Sequence, residues 1–221
     1  MVARICQGSD DTIKYIRKQL IYWGRRNFSH FPWRYETNNF HALIAELLLQ
    51  RTKAEQVVAV YQRFKERFPD PSALSDASIQ EIEAIISPLG LKWRAKFLLE
   101  LGKRLTEEDG NIPCNILKLQ ELPGVGPYAA AAYISLHEGQ RVPILDSNVV
   151  RFYGRFFGFE TGPETRRDRT VLELAEHITP KRSFEDFNYG LLDFTRLICR
   201  PKPNHGICPI SAKCALCGGA A

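Results

Sequence analysis

Apolar residues recur at three- and four-residue steps along nearly the whole of this chain, and nowhere do they alternate over the length of a strand. Ile13, Ile16, Leu20 and Trp23 form one such series, and Val57, Val60, Tyr61 and Phe64 another. A helix of 3.6 residues per turn gathers each series onto one face. The breaks between series are tight and rich in Pro and Gly: Phe31-Pro-Trp33, Phe68-Pro-Asp-Pro-Ser72, Pro88-Leu-Gly90, Asp109-Gly-Asn-Ile-Pro113, Leu122-Pro-Gly-Val-Gly-Pro127 and Thr161-Gly-Pro163. Ser72 and Ser75 read as helix caps, and Asp76-Ala-Ser-Ile-Gln80 as an acidic helix opening. The expected fold is all-α, with about ten helices joined by short loops.

A chain of 221 residues, 44% apolar and 25% charged, should bury roughly 70% of the surface its unfolded form exposes. The longest apolar stretch, Leu43 to Leu49, is interrupted by Glu46 and falls far short of the roughly 20 residues that cross a bilayer. No membrane partner is expected. The first ten residues lack an apolar core of signal-peptide length, which places the six cysteines in a reducing cytoplasm and makes disulfides the weaker reading. A formal net charge of +5 permits a polyanionic partner without demanding one.

Three constellations carry chemistry. In Leu122-Pro-Gly-Val-Gly126, Gly124 and Gly126 flank Val125 between one helix and an alanine-rich one, Tyr128 to Leu136. Such a hairpin offers backbone amides at a helix N-terminus to a phosphate oxygen, a grip that ignores base sequence; an ordinary Pro-Gly connection would look the same. Asp146, in Val142-Pro-Ile-Leu-Asp-Ser-Asn-Val-Val-Arg151, is either a helix N-cap or a carboxylate acting on a nucleotide, and the two are compatible. Cys199, Cys208, Cys214 and Cys217, spaced C-x8-C-x5-C-x2-C, read as a metal or iron–sulfur site; ligand type alone does not separate zinc from a [4Fe–4S] cluster. Cys6 and Cys114 are left over and read as small buried hydrophobes.

With these motifs in this order, the chain resembles the helix-hairpin-helix DNA glycosylases of the endonuclease III superfamily. The likeness runs through Phe31-Pro-Trp-Arg34, the helix from Ala42 to Thr52, the hairpin, Leu145-Asp-Ser-Asn148, the stretch from Phe187 to Phe194 and the terminal cysteines, nearly the whole chain. It implies two helical domains: residues 30–140, with six helices and the helix-hairpin-helix motif, and residues 1–29 with 141–221, carrying the cluster loop. The active site would lie in the cleft between them. The resemblance further implies base flipping, Asp146 as the catalytic carboxylate and a structural [4Fe–4S] cluster. The expected state is a monomer acting on double-stranded DNA with a mismatched or damaged base, in the cytoplasm at the nucleoid.

Within that superfamily, bifunctional members carry a lysine two residues after the hairpin; here the position is Tyr128. A phenol cannot form an imine, so the chain is expected to release a base and leave the abasic strand uncut. An aromatic there can also stack on a flipped base or simply pack. Glu46 matches an acidic residue of both adenine-mismatch and thymine-mismatch glycosylases, and its charge within an apolar helix face calls for compensation, a structural salt bridge being one form. Gln50-Arg-Thr-Lys53, Tyr128 and the expected lack of a further recognition domain after the cysteines look more like the thymine/uracil enzymes than the adenine ones. Rival readings are an adenine glycosylase, a bifunctional glycosylase/lyase and a non-catalytic DNA-binding module.

The cysteine spacing departs from the superfamily's usual C-x6-C-x2-C-x5-C. Two ligand sets are open: Cys199, Cys208, Cys214 and Cys217, which thiolate chemistry favours, or a set with His205 in place of a cysteine. Asp146 suits the sugar side of N-glycosidic cleavage, and Glu46 and Tyr128 the base side. Gln50, Arg51, Leu91 and Lys92, with Trp93, occupy superfamily positions that fill the hole left by the flipped base. For Lys92 mere surface exposure, and for Trp93 core packing, are the alternatives.

Overall fold

The computed structural model describes residues 10–90 and 92–218, so the expectations at Cys6 and Leu91 lie outside the described residues. Contacts divide the chain into a contiguous unit, His30–Glu138, and a two-segment unit, Met1–Ser29 with Gly139–Ala221. Among the described residues there are eleven α-helices, several short 3-10 turns and no strand. α1 (Asp10–Arg26) belongs to the two-segment unit. The contiguous unit holds α2 (Asn39–Leu49), α3 (Ala54–Arg67), α4 (Pro71–Ser75), α5 (Ile79–Ile86), α6 (Arg94–Glu107), α7 (Ile116–Gln120) and α8 (Pro127–Leu136). α9 (Ser147–Phe157), α10 (Arg169–Ile178) and α11 (Phe184–Leu197) complete the two-segment unit. None of these helices is long and apolar enough to cross a membrane.

Polar side chains start most of these helices. Asn38, Asp70, Ser78, Asn115, Asp146 and Asp168 each accept a bond from a backbone N–H two or three residues on, satisfying donors that the helix itself cannot. The expected caps at Ser72 and Ser75 are therefore corrected. Asp70, extended because a proline follows it, caps α4 with Pro71 in the first helical position. Ser72 and Ser75 lie inside that helix, and the Ser75 hydroxyl donates to the Ser72 carbonyl at 2.8 Å. Ser78, in the segment expected to open a helix, caps α5.

In the contiguous unit, every residue of α2 from Phe40 to Leu48 is buried. A helix apolar on all sides must be covered on all sides; α3, α8 and the 3-10 turn Pro32–Tyr35 all pack on it. The alanines Ala129 to Ala132 are buried and make α8 slim enough to approach α2 closely. Trp33, from the Phe-Pro-Trp-Arg motif, is buried edge-on against Tyr61 of α3, ring centroids 5.8 Å apart.

In the two-segment unit, Ile13, Ile16 and Leu20 of α1 join Phe152, Phe156, Phe187, Leu191 and Phe194 in one core. α1 and α11 touch backbone to backbone: a β-carbon at Gly24 would lie 2.6 Å from Gly190 Cα, and one at Gly190 would lie 2.6 Å from the Leu20 carbonyl oxygen. In an open helix, Gly24→Ala would gain about 1 kcal/mol of helix propensity. Here the helices must separate, and overpacking of this kind costs about 1–3 kcal/mol. We expect a net loss of stability in urea denaturation; an unchanged or raised midpoint would show that the crossing gives way freely.

Candidate nucleotide-processing site

The hairpin is built by a turn and a helix start. Pro123 and Gly124 take the two central positions of a reverse turn closed by Val125 N–H donating to the Leu122 carbonyl at 3.1 Å. Gly124 has φ +78°, the left-handed conformation that type II turns require of their third residue. A β-carbon there would also press on Phe97 at 3.2 Å. Val125 turns its side chain into the core, so only its backbone is offered outward. Gly126 starts α8, supplies no side-chain acceptor and stands beside open space. An acceptor brought from outside can therefore approach the first amides of a ten-residue helix.

Gln50, at the C-terminal end of α2, donates from Nε2 to the Gly124 carbonyl at 3.3 Å, which ties a predicted wedge residue to the hairpin. Arg51 beside it is exposed and holds φ +56°, a conformation uncommon outside glycine. Lys92 is exposed. Core packing of Trp93 is corrected: it is 53% exposed, edge-to-face with the exposed Phe97, centroids 5.7 Å apart. The next residue goes inside instead. Arg94 is buried and donates to the Leu48 carbonyl at 3.0 Å and to Thr52 Oγ1 at 3.3 Å. Burial, with the Arg51 charge adding to it, pulls its guanidinium down to about 10. Gln50, Trp93, Arg94, Phe97 and Gly124 line a shallow pocket.

Glu46 lies in the middle of α2, 2% exposed. Its Oε1 is 3.0 Å from His137 Nε2, just past the end of α8, and both side chains are almost wholly enclosed. The compensation expected for this charge is thus a histidine 91 residues away in sequence, which the sequence reading did not single out. Tyr128 occupies the second position of α8 and is half-buried.

Asp146 caps α9. Its Oδ1 accepts from Val149 N–H at 2.7 Å and its Oδ2 from Asn148 Nδ2 at 2.8 Å. Asn148 Oδ1 in turn accepts from Arg151 Nη1 at 2.8 Å, and Arg151 Nη2 donates to the Cys199 carbonyl at 3.0 Å. A chain of hydrogen bonds thus runs from the carboxylate to the backbone of the first terminal cysteine, with Arg151 donating in both directions. Arg151 was quoted in the sequence motif without a role.

Cys199 and Cys214 are buried, Cys208 is half-buried and Cys217 exposed. All four line one pocket, together with His205, Arg155, Phe152 and Phe194. Burial pushes the Cys208 and Cys214 thiols up, and neighbouring sulfurs add to the shift: Cys214 and Cys199 on the first, Cys217 on the second. Gathered thiolates repel one another unless a cationic group stands among them. Among the described residues no three His, Cys, Asp or Glu side chains are grouped so as to hold a metal ion. His205 Nδ1 lies 3.0 Å from Cys217 Sγ, so both candidates for the fourth ligand stand side by side. Cys114 is corrected: it is exposed, not buried, and donates to Glu138 Oε2 at 3.2 Å.

Residues 44–177 match the sequence profile of the HhH-GPD superfamily base excision DNA repair proteins. The chain is 38% identical to a thymine/uracil-DNA glycosylase of Pyrobaculum aerophilum, over 88% of each chain. It is 32% identical to an adenine DNA glycosylase of Buchnera aphidicola, over 90% of this chain and 59% of that one. The solved structure of a thermostable thymine-DNA glycosylase superposes with a TM-score of 0.88 at 31% identity, covering 96% of this chain and 99% of the other. Helical fold, hairpin and motif order agree with these matches, and the chain belongs to the HhH-GPD superfamily of base excision DNA repair proteins.

Proposed function

We propose that this protein is a monofunctional DNA glycosylase that removes thymine or uracil mispaired with guanine, hydrolysing the N-glycosidic bond and acting as a monomer on double-stranded DNA at the nucleoid. The observation that carries the reading is the end-to-end similarity to a thymine/uracil-DNA glycosylase, at higher identity than to the adenine enzyme. Cleavage builds positive charge on the deoxyribose and negative charge on the departing base. Asp146, its carboxylate fixed by Val149 and Asn148, offsets the first and takes a proton from the attacking water. Glu46 and Tyr128 serve the base. Gly124, Val125 and Gly126 hold a phosphate through backbone amides, and Gln50, Arg51, Leu91 and Lys92 fill the gap in the stack. With Tyr128 where an amine would be needed, no imine forms with the sugar.

The thiol pocket supports a [4Fe–4S] cluster held by Cys199, Cys208, Cys214 and Cys217, with His205 as rival to Cys217. Such a cluster, when bound, would supply a rigid cross-link between the end of α11 and the terminal loop. The chain's own part is already visible: Arg155 donates to the carbonyls of Arg200 and Pro201 at 2.8 Å, and Tyr15 to that of Pro209 at 3.2 Å.

The test offers identical duplexes holding T·G, U·G, A·G, A·8-oxoguanine and matched T·A, each scored with and without alkali. We expect thymine and uracil release opposite guanine, about 100-fold slower release from T·A because a matched pair costs a few kcal/mol more to open, and breaks only after alkali. Faster adenine release would move the chain to the adenine enzymes. Strand cleavage without alkali, trapped covalently by borohydride, would overturn the monofunctional reading.

A further inference from the structure

We propose that His137 is a positioning residue for base release, one that keeps a proton on the Glu46–His137 pair at neutral pH. The inference rests on the base-side role given to Glu46 above. An ionised carboxylate cannot donate to the carbonyl oxygens of a departing thymine, and an ordinary carboxyl is ionised at neutral pH. Glu46 Oε1 and His137 Nε2 are 3.0 Å apart with side chains 3% and 4% exposed. A buried pair disfavours net charge, and both of its neutral forms, acid beside imidazole or carboxylate beside imidazolium, contain the same single proton.

The elements packed on α2 and α8 carry further ionisable groups. From α3, Tyr61 faces it, its hydroxyl pushed up by burial, by the hydrogen bond it donates to Glu36 and by the charges of Glu36 and Glu46. Lys65, further along α3, pairs with Glu36. The turn Pro32–Tyr35, also packed on α2, carries Arg34 and Tyr35; α7, packed on α8, carries Lys118, and from α6 Arg94 donates to the Leu48 carbonyl of α2. From α8, the Tyr133 ring lies 6.0 Å from that of His137 and its hydroxyl donates to Glu138, which also accepts from Cys114. His137 is the basic side chain within hydrogen-bond distance of Glu46.

The proton balance is simple. As the bond between C1′ and the base nitrogen breaks, its electron pair leaves on the base, and a proton passes from the pair to a base oxygen. Water gives its hydroxyl to C1′ and its proton to Asp146. Solvent then returns a proton to the pair and takes one from Asp146, so one water is consumed and a neutral base is released.

The experiment is a pH profile of single-turnover base release from a T·G duplex. Wild-type activity should fall on the alkaline side as the pair loses its proton. His137→Gln keeps a hydrogen-bond donor but cannot titrate; we expect its alkaline limb to move at least one pH unit lower, its rate at pH 8 to fall about 10-fold or more, its KM to stay within about threefold, and its rate to recover on acidification. An equal loss at every pH would mean that His137 only packs, and would overturn the proposal. Glu46→Gln separates the two readings: full activity in that variant removes Glu46 from the chemistry, whereas its loss alongside an unmoved His137→Gln limb sinks this inference alone. If His137→Gln fails to fold, imidazole NMR of the wild type and Glu46→Gln decides. The His137 titration should move to lower pH when the carboxylate is removed, and no movement counts against the shared proton.

Discussion

Asp146→Asn is expected to lower the single-turnover rate of base release by about 10²–10³-fold while DNA affinity stays within a few-fold. Asparagine caps a helix as well as aspartate does, so the start of α9 survives. What it cannot supply is negative charge opposite the developing oxocarbenium. The variant also reverses a polarity. Asp146 Oδ2 accepts from Asn148 Nδ2, and Asn148 Oδ1 accepts from Arg151; an amide nitrogen at the Oδ2 position faces another donor, and flipping Asn148 to suit it would turn an amide nitrogen on the guanidinium. One hydrogen bond is lost either way, about 1 kcal/mol, which denaturation will register. That modest loss cannot account for a thousandfold drop in rate, so the two effects are separable. Turnover near that of the wild type would reduce Asp146 to a cap.

Cys199→Ser is expected to take the purified protein from yellow-brown, with about four irons and four sulfides per chain, to colourless with less than about one iron. The carbonyl of this residue receives Arg151 and its sulfur lies 3.6 Å from Arg155 Nη1, so the loss should loosen the end of α9 as well as the terminal loop. Cys217→Ser and His205→Ala, compared side by side, identify the fourth ligand by which of them loses iron. Stoichiometric zinc without iron in protein prepared anaerobically would contradict the cluster.

Much of this was legible in the sequence, for a stated reason. The helices declare themselves because α1 and α3 each bury one face, and burial of one face leaves a period of 3.6 in the residues. The Asp146 cap and the Gly124 turn are likewise local, each settled within four residues. What the sequence hid is pairing across distance. Nothing near His137 announces a carboxylate 91 positions earlier, and a lone histidine after an alanine-rich helix reads as surface. Trp93 misled through hydrophobicity: its indole lies outward while the neighbouring Arg94 guanidinium donates to the Leu48 carbonyl and Thr52 from inside, which no hydropathy pattern encodes. The caps at Ser72 and Ser75 failed because Pro71 takes the first helical position of α4, which puts the cap at Asp70.

The backbone contact between α1 and α11 has a consequence for synthesis. Arg25 and Asp186, which pair beside that crossing, are 161 residues apart. At about 5–20 residues per second, the ribosome needs on the order of ten to thirty seconds to bring the second after the first. The contiguous unit can condense within that interval, since all its partners are already made. α1 has no such choice: its apolar face is not fully covered until α11, the last of the described α-helices, emerges, and for that time it is a segment on which a chaperone can act.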